Sequence, residues 1–558
     1  MKLNSKSIIL SIFVSLLLLS GSLRALSTDN KKTPEKPRIV NIVNFIRLLE
    51  PRDLGITQDV LYQTVVNQVE MMKEYKLKGT FLLQYDALMN ERYQSLLSAL
   101  PDSAFEIGAW WELPQPLVEK AGITWRGRYP WDWHANVGFS VGYTPAEREK
   151  LVDVYMADFK KIYGRYPKSV GSWFIDAHSL NYMYEKYGIV ASCNCRDQIG
   201  TDGYTLWGGY WNQGYYPSLK NAYMPAQNAK NQIPVPVFRM LGSDPVRQYD
   251  SGLGTTHQGV VTMEPVYWNA GGDSLWVDWY FQEFVGGECM EYAYVQVGQE
   301  NSFTWDRMAH GFELQLPLVA KLMNEQKVEV QKLSQTGEWF SKNYETTPAT
   351  SVTVKEDLAG SNYKTVWFNS RFYRANLLWD KNTFRFRDIH LFDEEFESSY
   401  LKEVETTSKC AYSTLPFVDG FGWSTADEIA GLRLKAVVDG KELLLEGGDP
   451  VVDDSVSGKL HIEWPLTNVS GTLVIDMDEK QMAIKVDENE TLTWFLELTT
   501  KENAELPFEQ ISDKQVNCSL KGMSYSVVCK QGGFKERKND SVFSVEPKKN
   551  QLRLDFSK

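Results

Sequence analysis

Histidine and cysteine are both scarce, with six of each among 558 residues. The cysteines lack the paired spacing of thiolate zinc sites, and the histidine spacing gives no support for a metal centre. We therefore predict no metal and no cofactor. Cys518 and Cys529 flank two short strand-like runs, so a disulfide across a hairpin is one expectation for this pair. The histidines considered as metal ligands are His134, His178, His257 and His310.

Excess positive charge is also missing, since the net charge is −13. A nucleic-acid binder or an anionic-membrane binder normally carries a basic surface, so neither class is favoured. Only one long apolar run occurs, Ile8 to Leu19, between basic residues and a small-residue zone. This pattern predicts a signal peptide over 1–25, a polar tether over 26–37, and export to the periplasm or beyond. No later segment is apolar enough to span a bilayer.

Aromatic residues are abundant, with 18 Trp, 28 Tyr and 26 Phe. They crowd the first two-thirds of the chain, in clusters such as Trp110-Trp111 and Tyr215-Tyr216. Flat aromatic faces are surfaces on which sugar rings stack, but the same residues also pack cores and walls. Both interpretations stay open for the set as a whole.

Residues 38–346 alternate short apolar runs with helical patterns. Thr144-Pro145-Ala146-Glu147 is a capping-box helix start. Seven β-then-α units with polar strand ends predict a (β/α)7-type, distorted TIM-like barrel. The predicted strands are Arg38–Leu48, Gly79–Tyr85, Phe105–Gly108, Ser169–Ile175, Ile189–Cys195, Ile233–Met240 and Tyr292–Val297.

Residues 347–558 show period-two patterns and weak helix signals. Asp439-Gly440 is a tight hairpin signal between two of the strand-like runs. The fold class predicted is α/β plus all-β, with a C-terminal β-sandwich after the barrel.

Chemistry in parallel barrels sits at the C-terminal strand ends. The segment Glu291–Trp305 contains a strand that ends in Gly298, Gln299 and Glu300, which predicts Glu300 in an active site. Asp176 follows the fourth predicted strand, although it is also a good N-cap for a helix beginning near Ser179. Other polar or aromatic candidates at strand ends and in the loops are Trp111, Glu112, His178, Gln198, Asp202, Arg239 and Glu264.

Two passages carry a family resemblance. Phe105–Gly108 is similar to the "EIG" before the metal site of polysaccharide deacetylases, and Gly164–Ile189 is similar to their "G-x-x-P" strand and "GI" helix end. The barrel also resembles that of family 57 and family 38 glycoside hydrolases. The whole chain resembles secreted proteins of unknown function from gut Bacteroidetes-type bacteria, with this barrel and a C-terminal β-domain.

The sequence departs from the deacetylase pattern. Those enzymes need Asp-Asp after strand one and His-x-x-x-His after strand three for their metal. Here strand one ends in Phe45-Ile46-Arg47, and Trp110-Trp111-Glu112 follows strand three. A deacetylase and a family 38-like zinc site are therefore disfavoured. The resemblance to family 57 implies catalytic carboxylates at the ends of strands four and seven, here Asp176 and Glu300.

We therefore predict an exported glycoside hydrolase that acts on an oligo- or polysaccharide with Asp176 and Glu300 as its catalytic pair. The predicted substrate contacts are Trp111, Glu112, His178, Gln198, Asp202, Arg239, Glu264 and Gln299. Two alternatives remain: a glycan-binding protein without catalysis, and a deacetylase with a rearranged metal site.

Overall fold

A computed structural model describes residues 36–537 and 541–557. The predicted signal peptide and nearly all of the predicted tether lie outside the described residues. Pro37–Lys558 forms one compact unit. None of the described helices is both long enough and apolar enough to cross a membrane.

The barrel sheet contains all seven predicted parallel strands. They run side by side in the order Ala293–Val297, Arg38–Ile46, Gly79–Leu83, Phe105–Trp110, Ser169–Gly171, Ala191–Asn194 and Val237–Arg239, and the last of these also pairs with antiparallel Gly214–Tyr215. The barrel is nearly but not fully closed, because the first and last strands of this order do not pair within the described residues. The strands before residue 347 are β1 (Arg38–Ile46), β2 (Gly79–Leu83), β3 (Phe105–Trp110), β4 (Ser169–Gly171), β5 (Ala191–Asn194), β6 (Gln198–Thr201), β7 (Tyr204–Trp207), β8 (Gly214–Tyr215), β9 (Val237–Arg239), β10 (Cys289–Met290), β11 (Ala293–Val297) and β12 (Glu329–Gln331).

Helices cover the outside of this sheet. Thr57 caps the first helix and accepts from the Val60 N–H, and Thr144 with Glu147 forms the predicted capping box. The α-helices are α1 (Gln58–Glu74), α2 (Tyr85–Leu88), α3 (Glu91–Ser98), α4 (Gln115–Lys120), α5 (Ala135–Gly138), α6 (Pro145–Tyr163), α7 (Ala177–Tyr187), α8 (Ser274–Gly286), α9 (Trp305–Asn324) and α10 (Leu333–Asn343), with 3-10 turns at Ser140–Gly142, Asn301–Phe303 and Ser399–Leu401.

The rest of the chain forms antiparallel sheets, which confirms the predicted barrel with a C-terminal β-domain. Asp439 and Gly440 both have positive φ angles, of 51° and 75°, at the predicted hairpin. The strands are β13 (Thr350–Val354), β14 (Tyr363–Asn369), β15 (Tyr373–Asp380), β16 (Thr383–Leu391), β17 (Cys410–Ser413), β18 (Leu415–Val418), β19 (Gly431–Val438), β20 (Lys441–Leu444), β21 (Val451–Asp453), β22 (Lys459–Pro465), β23 (Thr472–Asp478), β24 (Gln481–Asp487), β25 (Thr493–Thr499), β26 (Phe508–Ile511), β27 (Gln515–Leu520), β28 (Met523–Gln531), β29 (Gly533–Glu536), β30 (Phe543–Glu546) and β31 (Gln551–Asp555).

Two of these sheets pack face to face. One has eleven strands and includes β13–β16, and the other has eight strands and includes β21–β24. Phe384 on β16 packs against Trp464 on β22, with ring centroids 5.8 Å apart. Strand pairing also crosses the predicted boundary at 346/347, because β10 pairs with β13 and β17 pairs with β7. The barrel and the β-domain therefore share sheets.

The cysteine pair does not form the expected disulfide. Both thiols are buried and free. The hairpin register places Cys518 opposite Tyr525, whereas Cys529 lies beside Leu554 of β31. The turn after Leu520 is too tight to bring Cys529 opposite Cys518, so this expectation was wrong.

Candidate active site

A cavity of about 310 Å³ opens at the C-terminal ends of the barrel strands. Arg47 follows β1, Trp173 follows β4 and Glu300 follows β11, so several strands contribute to its wall. Its size falls in the range of small-molecule sites, about 300–1,000 Å³. The lining residues are Arg47, Glu50, Arg52, Asp53, Ile56, Trp133, Trp173, Arg196, Gln198, Thr201, Asp202, Tyr204, Leu241, Val260, Glu264, Tyr267, Glu300, Ser302, Phe303 and Arg307.

Arg47 links the ends of three strands. Its Nε and Nη2 donate to Glu112 Oε2 and Oε1 at 2.8 and 2.6 Å, and its Nη1 lies 2.9 Å from Glu300 Oε2. Gln84, just after β2, donates from Nε2 to Glu112 Oε2 at 2.8 Å. An arginine–carboxylate pair thus joins the ends of β1 and β3.

Glu300 is 3 % exposed and lies beside one hydroxyl and one cation. Ser302 Oγ donates to Oε1 at 2.6 Å, whereas Oε2 accepts no hydrogen bond from the described residues. Burial raises the pKa of Glu300 to about 7, because desolvation outweighs the attraction of Arg47, whose charge is already shared with Glu112. Near neutral pH this carboxyl group is therefore partly protonated.

The chain reaches Glu300 through a turn that only glycine fits. Gly298 has φ +111°, and a Cβ atom there would lie 2.2 Å from the Val43 carbonyl oxygen. Gln299 follows, and its backbone N–H donates to Asn44 Oδ1 at 3.1 Å. These contacts with β1 fix the position at which Glu300 enters the cavity.

Glu264 is another buried carboxylate in the cavity wall, which also contains Glu50, paired with Arg52. It accepts hydrogen bonds from Gln299 Nε2 at 2.9 Å and from Thr262 Oγ1 at 2.7 Å. Burial raises the pKa of Glu264, while these two hydrogen bonds and the charge of Arg196 oppose that rise. The Gln299 side chain also connects Glu264 to the backbone of Glu300, since its Oε1 accepts from the Glu300 N–H at 2.9 Å.

The remaining wall combines aromatic rings with cations. Trp133, Trp173, Tyr204 and Tyr267 supply flat surfaces. The Arg52 guanidinium lies over Trp133, 5.2 Å from the ring centroid. Such a wall suits a ligand with both apolar ring faces and polar groups.

Comparison with solved structures shows the fold. A candidate glycoside hydrolase/deacetylase from Parabacteroides distasonis matches with a TM-score of 0.51 at 16% identity, over 69% of this chain and 91% of that chain. The two chains share the fold of a nearly closed barrel. This confirms the predicted structural resemblance, and at this identity the likeness concerns the fold alone.

Two further structures match more weakly. A candidate polysaccharide deacetylase from Mycobacterium smegmatis matches at 12% identity and TM-score 0.35, over 55% of this chain and 92% of that chain. A candidate polysaccharide deacetylase from Pseudomonas aeruginosa PAO1 matches at 10% identity and TM-score 0.35, over 56% and 93%. Neither supports a conclusion about this chain. No family model and no curated protein matches it.

Several of the residues predicted from the sequence meet at the cavity of this barrel. Glu300, Glu264, Gln198 and Asp202 line it. Glu112 and Gln299 lie behind the cavity wall, where Glu112 accepts from Arg47 and Gln299 donates to Glu264.

Asp176 is not brought to this cavity. The fourth strand ends at Gly171, earlier than the predicted Ile175, and Asp176 caps α7 instead. Its Oδ1 accepts from the Ser179 N–H at 2.8 Å and pairs with Arg148 Nη1 at 3.0 Å. The charge of Arg148 and hydrogen bonds from Ser140 and Ser179 outweigh desolvation and lower the pKa of Asp176. The structure therefore does not place Asp176 and Glu300 on one cavity.

Three other predicted substrate contacts also lie elsewhere. Trp111 is buried against Tyr155, and His178 Nε2 lies 3.0 Å from the Glu149 carboxylate. Arg239 is buried, and its Nη2 donates to Asp197 Oδ1 at 2.9 Å. None of the three lines the cavity.

Sequence reasoning missed the cavity arginines. Arg47 ends the first predicted strand, and Arg196 follows the fifth, so both carry the strand-end signal that selected Glu300. Arg47 was considered only as a departure from a metal site. Arg307 and Trp173 carry no comparable signal. Arg307 lies on a helix, and Trp173 lies in a turn where the sequence predicts a continuing strand.

One group of described residues has the composition of a metal site, in the β-domain rather than at the cavity. Asp388, His390 and Asp419 are buried and close together. Asp388 accepts from Arg374 Nε at 3.0 Å, and Asp419 accepts from Trp207 Nε1 at 3.0 Å. These carboxylates already have protein donors, including a guanidinium, so the group does not fit a cation.

Proposed function

We propose that the protein is a glycoside hydrolase that uses Glu300 as general acid and Glu264 as the ionised carboxylate. Glycoside hydrolysis needs one carboxyl group that protonates the leaving oxygen, and a second that attacks the anomeric carbon or activates water there. The single observation that carries the proposal is that the buried carboxyl groups of Glu300 and Glu264 line one aromatic-walled cavity at the strand ends, beside Glu50, which Arg52 neutralises.

The environments of the two groups support different roles. The raised pKa of Glu300, about 7, keeps a proton available near neutral pH. Its Oε2 lies 2.9 Å from Arg47 Nη1 and accepts no hydrogen bond from the described residues. Burial raises the pKa of Glu264 as well, but its two hydrogen bonds and the nearby charge of Arg196 favour the ionised form. Arg47 holds Glu300 in place through Nη1, while the side chains of Trp133 and Trp173 offer ring surfaces for sugar units.

The residues at the ends of β1 and β3 favour hydrolysis over metal-dependent deacetylation. A deacetylase places carboxylate and imidazole ligands there for a hard metal. Here that position holds the Arg47–Glu112 pair, and a guanidinium supplies the positive charge.

The first experiment screens purified protein against polysaccharides for release of reducing ends. Once a substrate is found, Glu300→Gln and Glu264→Gln should each lower kcat by about 100- to 10,000-fold, the usual contribution of an acid or base. Glu106→Gln is the matched control, because Glu106 is also buried in the barrel but accepts from Ser169 Oγ and does not line the cavity. It should keep kcat within about threefold of the wild type, well below an acid–base contribution.

Other outcomes would redirect the proposal. Full activity in folded Glu300→Gln would remove Glu300 from the mechanism. Tight glycan binding by the wild type without product from any polysaccharide would favour a glycan-binding protein instead.

We also propose export of the mature chain. The basic residues and apolar run at the N-terminus support it. N-terminal sequencing of protein from the periplasm or the medium should find a start near Leu26, and retention of residue 1 in the cytoplasm would contradict export.

A further inference from the structure

Arg196 is a buried cation that faces the cavity without an ion pair. It is 1 % exposed and lines the cavity wall. Its Nη1 donates to the Asp197 carbonyl oxygen at 2.5 Å and to Gln258 Oε1 at 3.3 Å. Its Nε has no hydrogen-bond partner, and its guanidinium makes no ion pair among the described residues. Both acceptors it does contact are neutral.

An arginine in this state is costly to the free protein. Removing a guanidinium from water is compensated only when an anion and further hydrogen bonds replace the lost hydration. The other buried arginines of this region have that compensation, since Arg47 pairs with Glu112 and Arg239 pairs with Asp197. Arg196 differs from them in retaining an unused Nε–H donor at the cavity, and its charge acts on Glu264 only from beyond ion-pair distance.

A second cation points to the same ligand chemistry. Arg307 enters the cavity from the first turn of α9 and lies over the Phe303 ring, 5.3 Å from its centroid. Arg307 also makes no ion pair with a carboxylate within the described ranges. Arg52, in contrast, is neutralised by Glu50 at 2.7 Å. The cavity therefore offers two guanidinium groups that form no ion pair with any described carboxylate.

We propose that Arg196 and Arg307 form a subsite for an anionic substituent of the glycan, a carboxylate or a sulfate on the sugar ring. This inference rests on the proposed function of the cavity and specifies its substrate class as an acidic polysaccharide. Planar guanidinium donors match the oxygens of both groups, which arginine binds through charge-assisted hydrogen bonds. The net charge of −13 means that affinity for an acidic glycan must come from these local cations.

The test measures binding with calorimetry, using Glu300→Gln so that turnover does not remove the ligand. Oligogalacturonides are compared with their carboxyl-reduced forms, and chondroitin sulfate oligosaccharides with their desulfated forms. The acidic member of at least one pair should bind about 10- to 100-fold more tightly, the worth of hydrogen bonds to a charged group. Arg196→Lys and Arg307→Gln should each remove much of that difference, while Arg92→Gln, on an exposed arginine outside the cavity, should leave it unchanged.

If Arg196→Lys fails to fold, the Arg307→Gln variant still tests the subsite, because Arg307 is exposed. Preference for the uronate pair identifies a carboxylate subsite, and preference for the sulfated pair identifies a sulfate subsite. Equal affinity for acidic and neutral glycans, or no affinity for any acidic glycan, would overturn the inference. Cleavage of a neutral glycan with no acidic preference would leave hydrolysis standing without the subsite. Binding of an acidic glycan that wild type does not cleave would leave the subsite standing without hydrolysis.

Discussion

The variant Asp176→Asn tests whether Asp176, which follows the fourth strand, has a structural or a catalytic role. The change keeps a side-chain oxygen that can cap α7 through the Ser179 N–H. It removes the charge that compensates Arg148, which is fully buried. Breaking a buried ion pair from one side typically costs about 3–5 kcal/mol. We therefore expect the variant to lose about 3 kcal/mol of unfolding free energy.

The pH dependence of this loss follows from the lowered pKa of Asp176. A carboxyl group whose folded pKa is depressed stabilises the fold above its unfolded value, about 3.9. That contribution disappears as pH falls through the lower folded pKa. The difference between wild type and Asp176→Asn should therefore be constant from about pH 5 to 7 and shrink below about pH 4.

The assay is urea unfolding followed by tryptophan fluorescence, with activity measured on the folded fraction. Asp59→Asn is the matched control, because Asp59 makes an exposed pair with Arg92 and should cost less than about 1 kcal/mol. Unchanged unfolding in Asp176→Asn together with a 100-fold loss of kcat would refute this reasoning and restore Asp176 as a catalytic group.

Three further predictions concern stability and thiol chemistry. Glu300→Gln should be more stable than wild type at pH 8 by on the order of 3 kcal/mol. The folded pKa of Glu300 is about 7 and its unfolded value is near 4.3, so the wild type loses stability as pH rises between these values. A wild-type unfolding free energy that is the same at pH 8 and pH 4.5 would contradict this. Gly298→Ala should unfold at a clearly lower urea concentration, because a Cβ there meets the Val43 carbonyl oxygen at 2.2 Å on a backbone with φ +111°, whereas Ala at the unobstructed Gly448 should have little effect. Unfolded protein without reductant should titrate for six thiols with Ellman's reagent, and a count of four would indicate a disulfide such as Cys518–Cys529.

Much of the fold was predictable because local sequence carries it. The Thr144 capping box, the Asp439-Gly440 turn and the parallel barrel strands all follow from short-range patterns, and each is present. Boundaries were less predictable at the fourth strand, where Ser172 Oγ bonds the Trp111 and Phe174 carbonyl oxygens and the chain leaves the sheet. That early exit depends on Trp111, which follows β3 and is 61 residues away from Ser172 in the chain.

The site was predictable only in part, because it too depends on contacts between residues that are distant in the chain. Glu300 carries a strand-end signal and reaches the cavity, but Asp176 carries the same signal and becomes a helix cap. The distinction depends on Arg148, a distant helix residue that pairs with Asp176. Arg239 likewise meets Asp197 in a buried network that also receives Arg374 from the β-domain.

The order of strands and helices, the β-rich second half and the polar character of the strand ends can all be read from local sequence, because they depend on neighbours within a few residues. Which polar groups share a cavity depends on how distant segments pack together. Glu264 and Glu300 meet there, while Arg196 remains without an anion, because charge compensation depends on residues far apart in the chain.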